Sequence, residues 1–198
     1  MNVVLVSTGN FQEYILDNIK QLVRLKHKNI YVITNGEFFD KFSNVNEFIQ
    51  LIDVSTLEDS FQYSKHSKMD TRFRNGFWML SSSRFFYLHA FMEKYQVENV
   101  IHLENDCPIY YHCDTLTPLL DLSKIYVPMD SYNLSIASIL YIPNASLWCK
   151  VLDKYDMKKN DMENLSLLSK EFAGDFSFFP ICFPRVSDSA EQTFVTKE

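Results

Sequence analysis

Glu104 and Asp106 stand two residues apart at the end of an apolar run, Val100-Ile101-His102-Leu103, and shortly before Pro108. Side chains alternate along an extended chain, so a strand continuing through this stretch puts both carboxylates on one side of its C-terminal end. Like charges that close are unfavourable unless a proton or a cation lies between them, and hard carboxylate oxygens suit Mg2+ or Mn2+. The competing reading is a solvated acidic turn ahead of the proline. His102 falls on the same face by parity but one step deeper, where it is a core residue or a support for the pair.

Arg84 is four residues after Leu80 and four before Leu88, in the middle of an apolar helical stripe. A guanidinium there needs an anion. The anion is either Glu104 or Asp106, giving a structural ion pair, or a bound diphosphate. Ser81, Ser82 and Ser83 give the same helix small hydroxyl residues that admit a ligand close to the backbone or simply pack tightly. Just upstream, Asp70 to Trp78 gathers Arg72 and Arg74 with aromatic residues at the helix entry. Backbone donors and arginine both favour phosphate at such a place, although exposed loop arginines are more often plain solvated surface.

The elements that must carry these residues read as an α/β pattern. Val3 to Val6 is a continuous apolar run closed by Ser7-Thr8-Gly9-Asn10, as expected of a strand buried on both faces and then a turn. Phe11, Ile15, Ile19, Leu22 and Val23 form a helical stripe with Asn10 placed to cap it, and Ile30 to Ile33 is a second strand, completing a βαβ unit. Phe48 to Val54 reads as a third strand, Ser55 to Asn75 as a long functional or mobile loop, and Phe77 to Tyr95 as a strong helix. Val100 to Leu103, Ile125 to Val127 and Ile136 to Ile142 read as strands, Ala145 to Tyr155 and Asp161 to Phe172 as helices. Ligands of open α/β sheets bind outside the carboxyl ends of the strands, which is where Glu104 and Asp106 fall.

Composition narrows the function classes. The chain has 198 residues, of which 46% are apolar, 15% aromatic and 22% charged, within the range of one globular domain spanning 1–198. Its formal net charge of −6 argues against nucleic acid as a partner. The opening apolar run is far short of a membrane span or a signal-peptide core, so no transmembrane segment is expected and the protein reads as cytoplasmic. Four cysteines are too few and scattered for a disulfide framework, and four glycines leave no Gly-rich phosphate loop.

The opening Val3-Val4-Leu5-Val6-Ser7-Thr8-Gly9, the cluster from Arg72 to Trp78, the helix with Ser82 and Arg84, and above all His102-Leu103-Glu104-Asn105-Asp106 followed by Tyr110 resemble nucleotide-sugar glycosyltransferases of the GT-A fold. Over residues 1–155 the order of elements matches, with E-N-D as a variant of the D-x-D motif. The resemblance implies a Rossmann-like, mixed and mostly parallel sheet flanked by helices. It implies a donor nucleotide-diphosphate sugar, with Ser7, Thr8 and Gly9 at the nucleobase and ribose and Asp53 as a further base or ribose contact. Asp106 would bind Mn2+ or Mg2+ directly, and Glu104 would bind the metal or the ribose. Arg84 or Arg72 would help neutralise the departing diphosphate as the sugar moves to a hydroxyl of a glycan or glycoconjugate acceptor. An inverting enzyme of this kind needs a carboxylate base, for which Asp130 and Glu163 are candidates, while Asp161 or Glu163 in a first helical turn also fits simple capping.

The chain departs from the family in one respect. Such enzymes often supply a further metal ligand, commonly a histidine, from their C-terminal part, yet no histidine follows His112. Asp175, Asp188 or water completes the shell, or the metal is weakly held or unused. Two rival readings therefore stand beside the glycosyltransferase: a metal-dependent nucleotidyl or phosphoryl enzyme, and a non-catalytic GT-A-like scaffold that binds sugar or nucleotide.

Overall fold

A computed structural model of the chain describes residues 1–131 and 134–179. The first strand, β1 (Asn2–Ser7), fixes the layering. Its Val4 and Val6 pack on one face with Phe85, Phe86, Leu88 and Trp148, while Val3 and Leu5 pack on the other with Ile15, Ile19 and Leu22. This two-residue alternation between two apolar layers is what a strand buried on both faces requires.

Helix α1 (Tyr14–Arg24) covers one face, and β2 (Ile30–Thr34) and β3 (Gln50–Asp53) extend the sheet outward from β1, both joined in parallel. The chain then crosses through α2 (Tyr63–His66) and α3 (Phe77–Tyr95) to β4 (Val100–Leu103), which pairs in parallel with the other side of β1. Beyond it come β5 (Ile125–Val127), a small ribbon of β6 (Met129–Ser131) and β7 (Leu134–Ser135), and β8 (Ile139–Ile142). Helices α4 (Ala145–Leu152) and α5 (Asp161–Glu171) and strand β9 (Phe176–Phe178) complete the described residues. The seven-stranded sheet has the order β3-β2-β1-β4-β8-β5-β9, with β8 antiparallel to both its neighbours. Fold class thus agrees with the sequence reading: a mixed, mostly parallel sheet flanked by helices. The outward march from β1 reverses between β1 and β4, which makes the crevice at their carboxyl ends the topological switch point.

Several boundaries differ from the sequence reading. Helix α1 starts at Tyr14 with Glu13 at its cap position, so Asn10 does not cap it. The stretch Asn46–Phe48 is a 3-10 turn, which confines β3 to Gln50–Asp53. The expected loop from Ser55 to Asn75 contains α2, whose Tyr63 is buried and stacks on Phe86 at 4.5 Å, anchoring the segment on α3. The expected strand from Ile136 is regular only from Ile139, and α4 stops at Leu152.

Candidate active site

At the switch point a cleft of about 270 Å³ opens between the ends of β1 and β4 and the first turns of α3. Its acidic wall is a turn rather than a continued strand: β4 ends at Leu103, and the Cys107 N–H closes on the Glu104 carbonyl at 3.0 Å. Glu104 and Asp106 nevertheless both line the cleft. Asn18, buried in α1, holds this turn from behind. Its Nδ2 donates toward the carbonyls of Glu104, Asn105 and Cys107 at 3.1, 3.3 and 3.3 Å. Three acceptors around one amide fix the turn to the helix below it. The two acids differ in freedom. Asp106 is exposed and has no ion-pair partner among the described residues, whereas Glu104 is partly buried and engaged. Tyr14 shares the cleft wall, and its hydroxyl is pushed up, first by burial and then by the negative charge of Asp106 and Glu104.

The engagement of Glu104 answers the question posed by Arg84. Arg84 Nη1 donates to Glu104 Oε1 at 2.6 Å, and Nη2 donates to Asp161 Oδ2 at 2.7 Å. The Arg84 and Asp161 side chains are 8% and 4% exposed, against 34% for Glu104. A buried guanidinium therefore sits between two carboxylates, as its desolvation requires. Glu104, one of the carboxylates expected for it, is in place, and Asp161 of α5 adds a second. Beneath the pair His102 is fully buried, with Nδ1 3.0 Å from the Val4 carbonyl oxygen. Burial, reinforced by the positive charge of Arg84, pushes its pKa down to about 3, so it stays neutral. It is a core residue under the site.

The remaining wall comes from the entry to α3. Arg74, Asn75 and Gly76 have φ of 44°, 56° and 84°, three left-handed residues in succession. Asparagine and glycine tolerate that region; for arginine it is costly and marks a constrained turn. The turn brings Arg74 to the cleft wall beside Phe77 and Ser81, and no side chain caps the first N–H groups of α3. The chemistry available is thus a free carboxylate sharing one cleft with a guanidinium and uncapped helix-terminal donors, a pairing suited to a cation-bridged phosphate.

The other residues singled out in the sequence fall as follows. Thr8 lines the cleft. Ser7 is buried beside it with no partner for its hydroxyl among the described residues, and it does not line the cleft. Gly9 has φ +83°, where L side chains are strained, and a Cβ there would come 2.8 Å from Leu80 Cδ1, so that leucine would have to shift. Asp53 ends β3, two strands away from β1, and accepts from the Ser55 N–H, which holds its carboxyl below the usual range. Arg72 does not line the cleft; its neighbour Arg74 does. Asp130 is exposed on β6 and also lies outside the cleft lining. Glu163 closes a capping box with Asn160, its Oε2 accepting from the Asn160 N–H at 3.0 Å, so the capping reading describes it. Asp161, by contrast, is not the cap but the second partner of Arg84. Asp175 pairs with Lys150 rather than joining the acidic pair, and Asp188 lies outside the described residues.

Among the described residues no group of three His, Cys, Asp or Glu side chains converges to cage a divalent cation. Mg2+ and ions like it, however, are commonly held by one or two carboxylates together with substrate phosphates and water. Asp106 with the outer oxygen of Glu104 fits that pattern.

No family model matches the chain, and neither does any curated protein. Solved structures share its fold. A cytidylyltransferase from Leptospira borgpetersenii serovar Hardjo-bovis superposes with a TM-score of 0.55 at 14% identity, over 91% of this chain and 75% of that one. The glycosyltransferase GlyE from Streptococcus pneumoniae TIGR4 superposes with a TM-score of 0.53 at 16% identity, over 90% of this chain and 44% of that one. A putative glucose-1-phosphate thymidylyltransferase from Bacillus anthracis gives 0.51 at 8% identity, over 91% and 87%. The chain thus has the GT-A-like architecture found in both glycosyltransferases and nucleotidyltransferases, and it spans less than half the length of GlyE. Among the described residues no helix is long and apolar enough to cross a membrane.

Proposed function

We propose that this chain is the donor-binding part of a nucleotide-sugar glycosyltransferase, which moves a sugar from a nucleoside diphosphate to a hydroxyl of a glycan or glycoconjugate. The observation that carries the reading is the free carboxylate of Asp106 at the switch point, lining one cleft together with Arg74 and the uncapped start of α3. In this reading Asp106, with Glu104 beside it, holds Mn2+ or Mg2+, which when bound supplies charge neutralisation for the leaving diphosphate. Arg74 and the first N–H groups of α3 take the phosphate oxygens in the same cleft. Arg84 holds Glu104 in place from beneath, in a site where fixed dipoles act more strongly than in water. Thr8, which lines the cleft at the end of β1, contacts the nucleoside in this reading.

The same fold serves nucleotidyl transfer, and the two chemistries break different bonds. Incubation of the full-length protein with UDP-, GDP-, CDP- and dTDP-sugars and MnCl2 separates them by phosphorus NMR. Transfer or hydrolysis at the sugar C1–O bond releases the nucleoside diphosphate, which is the expected product. Release of a nucleoside triphosphate and sugar 1-phosphate on addition of pyrophosphate marks cleavage between the phosphates and overturns the proposal in favour of a nucleotidyltransferase. Binding without either product marks a scaffold.

A further inference from the structure

We infer that Asp161 is a positioning residue for this cleft: by holding Arg84 from the side away from the ligand, it lets Glu104 exchange its bond to Arg84 for the incoming cation and nucleotide. The inference rests on the preceding reading that a nucleoside diphosphate enters with a divalent cation.

Its basis is the asymmetry of the two carboxylates on one guanidinium. Asp161 is fixed at both oxygens, Oδ2 by Arg84 at 2.7 Å and Oδ1 by the Met162 N–H at 3.0 Å. It stands at the first helical position of α5, where a negative charge is favoured by the helix dipole, and the Asn160–Glu163 capping box anchors that turn. Glu104 is held at one oxygen only, is 34% exposed, and has the cleft on its other side. If Glu104 were the sole partner of Arg84, turning it toward a ligand would strand a buried cation, and that penalty would keep it where it is. With Asp161 in place the guanidinium keeps a counter-charge, so Glu104 is free to move and Arg84 Nη1 is released toward the cleft that Arg84 already lines. Asp161 lies outside the cleft lining and acts only through Arg84.

The test uses the wild-type chain and one variant, with MgCl2 and each of UDP, GDP, CDP, ADP and dTDP as probes. In arginine side-chain NMR spectra of the wild type, the probe is expected to shift the Arg84 Nη1 resonance and leave Nη2 in place. By calorimetry, Asp161→Asn is expected to weaken cation-dependent nucleotide binding at least tenfold, with Asp161→Glu restoring much of it. If backbone amides at Thr8 and Asp106 respond to a probe while Arg84 Nη1 does not, or if Asp161→Asn lowers Tm but not nucleotide affinity, Asp161 is merely structural and the inference fails alone. If no probe moves any cleft resonance, the proposed function fails and takes the inference with it. The NMR arm does not depend on the variant folding.

Discussion

Asp106 and Arg84 illustrate how differently two charged residues of one cleft respond to removal. Asp106 is exposed and unpaired among the described residues, so Asp106→Asn is expected to change stability by less than about 0.5 kcal/mol in urea unfolding. Arg84→Met leaves Asp161 as a buried carboxylate with no counter-charge and is expected to cost about 3–5 kcal/mol by the same measurement. The sequence showed Arg84 to be a guanidinium in an apolar stripe in need of an anion, and it offered Glu104 or Asp106 as a partner because the helix directly precedes the strand that carries them. Asp161 was not legible, since it lies 77 residues further on and reaches Arg84 only through the docking of α5 on α3. Asn18 was missed for a similar reason. Its amide looks like an ordinary polar residue in α1, and its value comes from the E-N-D turn lying above it. Asn18→Leu leaves those carbonyls without their donor and is expected to cost about 1–3 kcal/mol, read from denaturant unfolding.

Among the elements, those with a continuous apolar run or a helical stripe were readable, and those defined mainly by pairing in space were not. Helix α3 runs over Phe77–Tyr95, the same bounds its stripe indicated, and β4 likewise matches its apolar run. Strands β6, β7 and β9 have two or three residues each, too few for alternation to register, and are defined by their partners in space. The turn before α3 lies between these cases. Arg74-Asn75-Gly76 carries the composition of a left-handed turn, but which arginine it delivers to the cleft depends on backbone angles that spacing does not encode. Helix α5 offers a clean test of an element's own stability. Asn160→Ala removes the capping side chain from the Glu163 N–H and is expected to lower stability by about 0.5–2 kcal/mol, a loss readable from Tm.

At the scale of the whole molecule, buried histidines tie the fold to pH. His102 and His27 are held down to about 3 and about 4, in each case chiefly by burial, with Arg84 acting on the first and His112 on the second, and burial lowers His89 as well. An unfolded histidine titrates near 6.5. The unfolded chain therefore takes up protons that the folded one refuses, so this contribution is complete above about 6.5 and is lost as the pH falls toward the folded values. Thermal melts are expected to show Tm falling from pH 7 to pH 4.5; a Tm unchanged over that window would contradict the burial of these rings. The same sheet that buries His102 presents Asp106 one turn beyond it, which links the core to the cleft. The proposed activity depends on that carboxylate more than on any other group. Calorimetric titration of the protein with UDP, GDP, CDP, ADP and dTDP, each with MnCl2 or with EDTA, measures this dependence. At least one nucleotide is expected to bind with MnCl2 and to lose more than tenfold in affinity both in EDTA and in Asp106→Asn. Equal affinity under all three conditions would contradict it.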